Sequence, residues 1–188
     1  METEFKKLLL TYAAFTEEEL ELILSFFKPV MVKKNQFLLN QGSVSKAYYY
    51  IYIGGIRTFF IDRKGGEKTR YVMLENGLGT TLSSFVNQKP SLEFIQAIDD
   101  TQLLAISRDK FYELVEKIDA WKIFYTKILE DAYTYQNKKI ESLVTLTANQ
   151  RYHQLLTERP EYVQRLSNKM LASYLDMREE TLSRLKSM

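Results

Sequence analysis

All seven glycines of this 188-residue chain fall between Gly42 and Gly79. Glycine reaches positive φ without steric cost, so such a cluster marks where the backbone turns tightly. β-Branched and aromatic runs stand between the glycines: Tyr48 to Ile53, Ile56 to Ile61 and Tyr71 to Leu74. Gly54-Gly55 and Gly65-Gly66 separate those runs, where hairpin turns are expected. Two later runs, Phe94 to Ile98 and Leu103 to Ile106, flank Asp99-Asp100. Short strands over residues 29–107 predict an all-β barrel or roll.

The flanks read as helix. Thr16-Glu17-Glu18-Glu19 is a capping box, followed by an apolar stripe of Leu20, Ile23, Leu24 and Phe27 that Pro29 terminates. After the strands come Asp109 to Lys117 and an unbroken pattern from Ala120 to Leu146 that holds neither Pro nor Gly. Thr147-Ala148-Asn149-Gln150 is a second capping box, opening a helix that ends before Pro160. Two short helices fit Ser167 to Leu175 and Arg178 to Ser187. The expected class is α+β: an N-terminal double-stranded, jelly-roll-like β-roll with its N-terminal helix over residues 1–107, a linker and dimerisation helix over 108–146, and a helix-turn-helix domain over 147–188.

Composition narrows the chemistry. The chain has no cysteine, which excludes disulfides, thiolate metal sites, iron–sulfur clusters and cysteine nucleophiles. His153 is the sole histidine, so a multi-histidine metal site of the kind β-roll enzymes use cannot form. It is expected on the surface of its helix or at an interdomain contact. No catalytic residue, metal ligand or cofactor is assigned, and the chain is not read as an enzyme. No run approaches 18 apolar residues and the first ten carry Glu2, Glu4, Lys6 and Lys7, so neither a membrane span nor a secretory leader is expected. A cytoplasmic location follows. The net charge of +2 lies in residues 147–188, a weakly basic end compatible with nucleic acid.

The long helix carries two apolar stripes. Ile118, Trp121, Tyr125, Ile128, Ala132 and Tyr135 alternate spacings of three and four, the seam of a coiled coil. Leu129, Tyr133, Ile140 and Leu143 form the second stripe. Two faces need two partners, the chain's own β-domain and a second copy. Trp121, Tyr125, Ile128, Ala132 and Tyr135 are the expected dimer interface.

Asn168 to Leu185 fits a helix-turn-helix. Leu171, Leu175, Met177, Leu182 and Leu185 take the inward positions, and Ala172 sits at the closest approach of the two helices. Asp176 stands at the turn position that wants positive φ. Ser167 caps the first helix; Arg178 caps the second poorly, with Glu179 and Glu180 compensating as anions in its first turn. The outward residues Arg178, Glu179, Glu180, Thr181, Ser183 and Arg184 suit base edges, and Ser167, Arg178 and Lys186 suit phosphates. The bland reading is a helical hairpin with a solvated charged face.

With these residues in place, nearly the whole chain resembles bacterial transcription regulators of the CRP/FNR type. Glu179-Glu180-Thr181-Leu182-Ser183-Arg184 looks like their recognition helix, and Asn40-Gln41-Gly42 with Tyr49 to Arg57 resembles their first β-roll hairpins. The resemblance implies a cyclic-nucleotide-binding-like roll, a homodimer on a long helix, base reading by Glu179, Glu180 and Arg184, double-stranded DNA with a palindromic site as partner, RNA polymerase as a further partner, and a small-molecule effector of unidentified class.

The effector cassette departs from that family. Its cyclic-nucleotide-binding members hold ribose with a Gly-Glu pair and the cyclic phosphate with an Arg-Ser or Arg-Thr pair. Gly79, Thr80, Thr81 and Leu82 through Pro90 and Ser91 occupy the matching stretch here, with Thr80 at the carboxylate position and Pro90 at the guanidinium position. Proline offers a phosphate neither charge nor donor. The expected function is a dimeric, sequence-specific DNA-binding regulator whose roll does not take cyclic nucleotides. The alternative is a ligand-sensing or protein-interaction module whose C-terminal helices do not bind DNA.

Overall fold

The computed structural model describes residues 1–187. The chain divides into two compact units: Met1–Thr58 with Val72–Glu130, and Phe59–Tyr71 with Asp131 onward.

The first unit begins with α1 (Glu2–Tyr12) and α2 (Glu17–Phe26). The Thr16 capping box forms as read, with the Glu19 carboxylate accepting from the Thr16 N–H at 2.9 Å. Helix α1 was not expected; its N-cap is Met1, without a side-chain bond, so no local signal announces it. It exists because Phe5 and Leu9, one turn apart, are fully buried, with Phe5 stacked on Tyr50 at 4.5 Å. Among the described residues, eight strands follow in two sheets. One has the order β1 (Lys28–Val32), β8 (Thr101–Ser107), β3 (Ala47–Ile53), β6 (Leu78–Gly79). The other has the order β2 (Phe37–Leu39), β7 (Phe94–Ala97), β4 (Ile56–Ile61), β5 (Glu67–Met73). This is the expected α+β class with an antiparallel roll.

One turn is corrected. Gly54-Gly55 is not a hairpin turn, because β3 and β4 belong to different sheets. It carries the chain from one sheet to the other. A Cβ on Gly54 would lie 2.8 Å from the Asp100 carbonyl oxygen, and one on Gly55 would lie 2.7 Å from a Leu74 methyl, so only glycine lets the sheets approach there. Gly65-Gly66 does close a hairpin, between β4 and β5. Asp62 Oδ1 accepts from the N–H groups of Lys64 and Gly66, which holds its carboxyl below the usual carboxylate range.

After β6 come α3 (Leu82–Asn87), β7, β8, α4 (Arg108–Lys117) and the long helix α5 (Asp119–Thr145). The first turns of α5 belong to the core. Trp121 is fully buried, with ring centroids 5.0 Å from Phe124, 5.3 Å from Phe111 and 6.2 Å from Phe27. Truncating such an aromatic removes about 3–5 kcal/mol.

The second unit holds the tip of the β4–β5 hairpin, the later turns of α5, then α6 (Ala148–Glu158), α7 (Pro160–Arg165), α8 (Asn168–Tyr174) and α9 (Glu179–Lys186). The second capping box forms, Thr147 with Gln150. Helix α7 was missed by reading Pro160 only as a stop. It is the first residue of a new helix, where a missing N–H costs nothing, and Tyr162 anchors that helix in the core. The division at 58, 71 and 130 differs from a simple N-to-C partition, because α5 and the hairpin each contribute to both units.

Candidate nucleic-acid interface

Helices α8 and α9 are joined by a turn in which Asp176 has φ of 49°. That left-handed residue sits where the sequence wanted positive φ, and the Met177 N–H closes the turn onto the Ala172 carbonyl at 3.0 Å. Leu171, Ala172, Leu175 and Leu182 are buried, while Met177 and Leu185 are half-buried. Ser167 caps α8, accepting from the Met170 N–H at 3.3 Å. Arg178 is the N-cap of α9 and makes no side-chain cap bond. Arg151 ties α6 to the turn by donating to the carbonyls of Leu175, Asp176 and Leu146.

The outward face is largely as expected. Arg178, Glu179, Glu180, Ser183, Arg184 and Lys186 are exposed, while Thr181 is half-buried. Arg184 leans back along α9, its Nε 3.4 Å from the Glu180 carbonyl oxygen. Lys186 Nζ donates to Asn168 Oδ1 at 2.7 Å, which crosses from α9 to the start of α8.

Sequence reading missed what stands opposite this face. Arg178, Glu179, Glu180 and Arg184 share an open cleft of about 690 Å³ with Gly66, Glu67 and Lys68 of the hairpin. The hairpin is fastened to α8. Glu67 Oε1 accepts from Lys169 Nζ at 2.6 Å, and Lys68 pairs with Asp176. The Ser173 hydroxyl donates to the Glu67 carbonyl at 3.0 Å and accepts from the Thr69 N–H at 2.7 Å. Lys139, from α5, donates to the carbonyls of Thr69 and Arg70 at 2.8 Å each and lies 3.8 Å from the Tyr174 ring centre. Burial, with Arg70 nearby, pushes the Lys139 ammonium down to about 7, against the pull of Asp176. No short-range motif encodes these contacts; the Lys169–Glu67 partners are 102 positions apart.

The expected dimer seam splits. Trp121 is sealed within its own chain, and Tyr125 and Ile128 pack against the same core. Burial raises the Tyr125 hydroxyl to about 12. Tyr135 turns inward in the second unit, its hydroxyl bonded to that of Tyr174 and its ring edge-on to Tyr71. Ala132 is half-buried. Trp121 and Tyr125 meet Phe111, and Tyr135 meets Tyr71 and Tyr174, so the aromatic positions of this stripe have partners within the chain. The exposed apolar stripe is the other one: Tyr133, Ile140, Leu143 and Val144 are exposed and Leu129 is half-buried.

Thr80 and Ser91 of the degenerate cassette are bonded within the chain, whereas the buried Thr81 hydroxyl has no hydrogen-bond partner among the described residues. Thr80 Oγ1 donates to the Ala47 carbonyl at 2.8 Å and meets Ser45 Oγ at the same distance. The Ser91 hydroxyl bonds the Glu93 backbone at both N–H and carbonyl. Thr81 caps α3 without a side-chain bond, Leu82 begins that helix, Gly79 ends β6, and Pro90 is exposed. In the roll, Arg57 is buried and directs Nε and Nη2 at Gln96 Oε1, at 3.1 and 2.6 Å. His153 is exposed on α6, as expected.

Residues 29–118 match the family model described as Cyclic nucleotide-binding domain. The Cyclic AMP receptor protein of Thermus thermophilus is 27% identical over 101 residues, 54% of this chain and 46% of that protein. The match therefore spans about half the length of that curated relative. Among solved structures, FixK2 from Bradyrhizobium japonicum superposes with a TM-score of 0.75 at 15% identity, covering 86% of this chain and 83% of that one. A transcriptional regulator of the crp/fnr family from Eubacterium rectale gives 0.73 at 16% identity, covering 91% and 82%. No helix among the described residues is long and apolar enough to cross a membrane.

Proposed function

We propose that the chain is a CRP/FNR-type dimeric regulator of transcription, with a cyclic nucleotide-binding-like domain, that reads DNA with α9; the match of residues 29–118 and the shared fold support this reading. The α8–α9 unit carries this reading: two short helices crossed over Ala172, a left-handed Asp176 between them, and Glu180 and Arg184 exposed together on the second. Glu180 and Arg184 are four residues apart and share a face. An arginine fork matches guanine O6 and N7, and a glutamate accepts from cytosine N4. Ser167, Arg178 and Lys186 are assigned to phosphates in this reading, and Lys169, exposed on α8, is added to them.

Dimerisation is assigned to the stripe of Leu129, Tyr133, Ile140, Leu143 and Val144 on α5. Two copies related by a twofold axis would present two α9 helices to a palindromic site. The roll is read as not taking cyclic nucleotides, since Thr80 and Ser91 are consumed by their own backbone and Pro90 offers nothing to a phosphate. A small effector of other chemistry and RNA polymerase are the remaining partners of this reading.

The test is a selection from a random duplex pool on the purified protein. Retained fragments should converge on an inverted repeat, and affinity should fall steeply with salt. Retention of no fragment at low salt would reject the assignment in favour of a protein-binding tail.

A further inference from the structure

The cleft facing α9 is closed on one side by the hairpin, and this has a consequence for any duplex approaching that helix. A major groove is about 12 Å wide and an α-helix with side chains about 10–12 Å across, so one groove admits one helix and no neighbouring strand. Gly66, Glu67 and Lys68 line the same cleft as Arg178, Glu180 and Arg184. Glu67 also sets its carboxylate on Lys169 at 2.6 Å, so this cation already holds an anion.

The attachment is more than one surface ion pair, which alone would contribute little. Ser173 is bonded to the hairpin backbone at the Glu67 carbonyl and the Thr69 N–H, and Thr69 is buried. Lys68 pairs with Asp176, at the turn between the two helices. Lys139 holds the next two carbonyls of the same strand. Every one of these contacts lies between the strand segment 67–70 and the helices that would meet DNA or support them.

We propose that the β4–β5 hairpin is an autoinhibitory clasp: Glu67 occupies Lys169, Thr69 and Ser173 lock the strand to α8, and α9 reaches DNA only after the strand is released. This regulates the site assigned under the proposed function and rests on that assignment. Release exchanges the Glu67 carboxylate on Lys169 for a DNA phosphate, so the clasp and DNA compete for one cation.

The chain has no cysteine, which makes the test clean. The Thr69 and Ser173 hydroxyl oxygens are 2.9 Å apart, so sulfurs placed there by Thr69→Cys with Ser173→Cys are within bridging reach. Under oxidant the two thiols should join, and the locked protein should bind the selected duplex at least about tenfold more weakly than its reduced form, within the usual range of allosteric coupling. Reduction should restore binding. Glu67→Lys, which repels Lys169, should bind more tightly than the parent. Thiols that stay free under oxidant, or a locked form that binds as tightly as the reduced one, would overturn the clasp while leaving DNA binding intact. If the reduced pair variant and Glu67→Lys both retain nothing from the random pool, DNA binding itself is rejected, and inhibition with it.

Discussion

The hydroxyls of Tyr135 and Tyr174 lie 2.6 Å apart, joining the long helix to the first helix of the helix-turn-helix. Burial pushes both phenols up. Tyr135 is thus spent inside its own chain. Tyr135→Phe should remove one hydrogen bond, costing about 1 kcal/mol, with some further penalty for the Tyr174 hydroxyl left behind. Urea unfolding should show that loss, and light scattering should show the same assembly state as the parent. A change of assembly state would return Tyr135 to the dimer interface.

The outward stripe makes the converse prediction. Ile140→Glu together with Tyr133→Glu places like charges at the proposed seam and should give folded monomers with unchanged thermal stability of the roll. Ile128→Glu puts a carboxylate against the apolar core that Ile128 packs on, and should destabilise the protein by several kcal/mol. Light scattering and circular dichroism on both variants separate the faces. A parent that is monomeric at micromolar concentration would refute the seam altogether.

Lys139 predicts a pH dependence. In the folded chain desolvation lowers its ammonium to about 7, whereas an unfolded lysine titrates near its ordinary value. Between those values the unfolded chain binds the extra proton, so stability rises with pH, with a slope approaching about 1.4 kcal/mol per pH unit for one proton. Below the folded value both states are protonated and the slope vanishes. Its surroundings are the carbonyls of Thr69 and Arg70, the Tyr174 ring, and the charges of Arg70 and Asp176. Unfolding at pH 7, 8 and 9 should show the parent gaining stability relative to Lys139→Met. Parallel curves would show that Lys139 stays charged when folded.

Cyclic AMP and cyclic GMP should give no saturable heat on titration. Thr80→Glu with Pro90→Arg should not create a strong site either, because it strips Thr80 from its bonds to Ala47 and Ser45 while adding a charge. A micromolar isotherm on the parent would sink this.

How much of this the sequence displayed depended on range. Both capping boxes and the left-handed Asp176 were legible, since each rests on residues within four positions of one another. Helix α7 hid behind Pro160, where one residue signals both a stop and a start. The two stripes of α5 looked alike because periodicity records which faces are apolar, not which one the rest of the chain covers. Gly54-Gly55 read as a hairpin because only the distant Asp100 and Thr101 reveal a crossing between sheets. The Glu67–Lys169 pair had no local signal at all.

Arg184 is the sharpest test of the reading face. It is exposed, four residues from Glu180, with buried Leu182 fixing which side of α9 points away from the core. Its planar fork can take two acceptors on guanine, and Glu180 beside it can accept from a neighbouring cytosine. Arg184→Ala should therefore cost about 1–3 kcal/mol per half-site on the selected duplex and relax preference at one base pair. Lys186 differs: it bonds Asn168 in the free protein and suits a phosphate, so Lys186→Ala should weaken selected and scrambled DNA by a similar factor and flatten the salt slope. Binding of both variants to both duplexes at two salt concentrations distinguishes the roles. If Arg184→Ala weakens selected and scrambled DNA equally, Arg184 is a backbone contact, and base reading must lie with Glu179, Glu180 and Ser183.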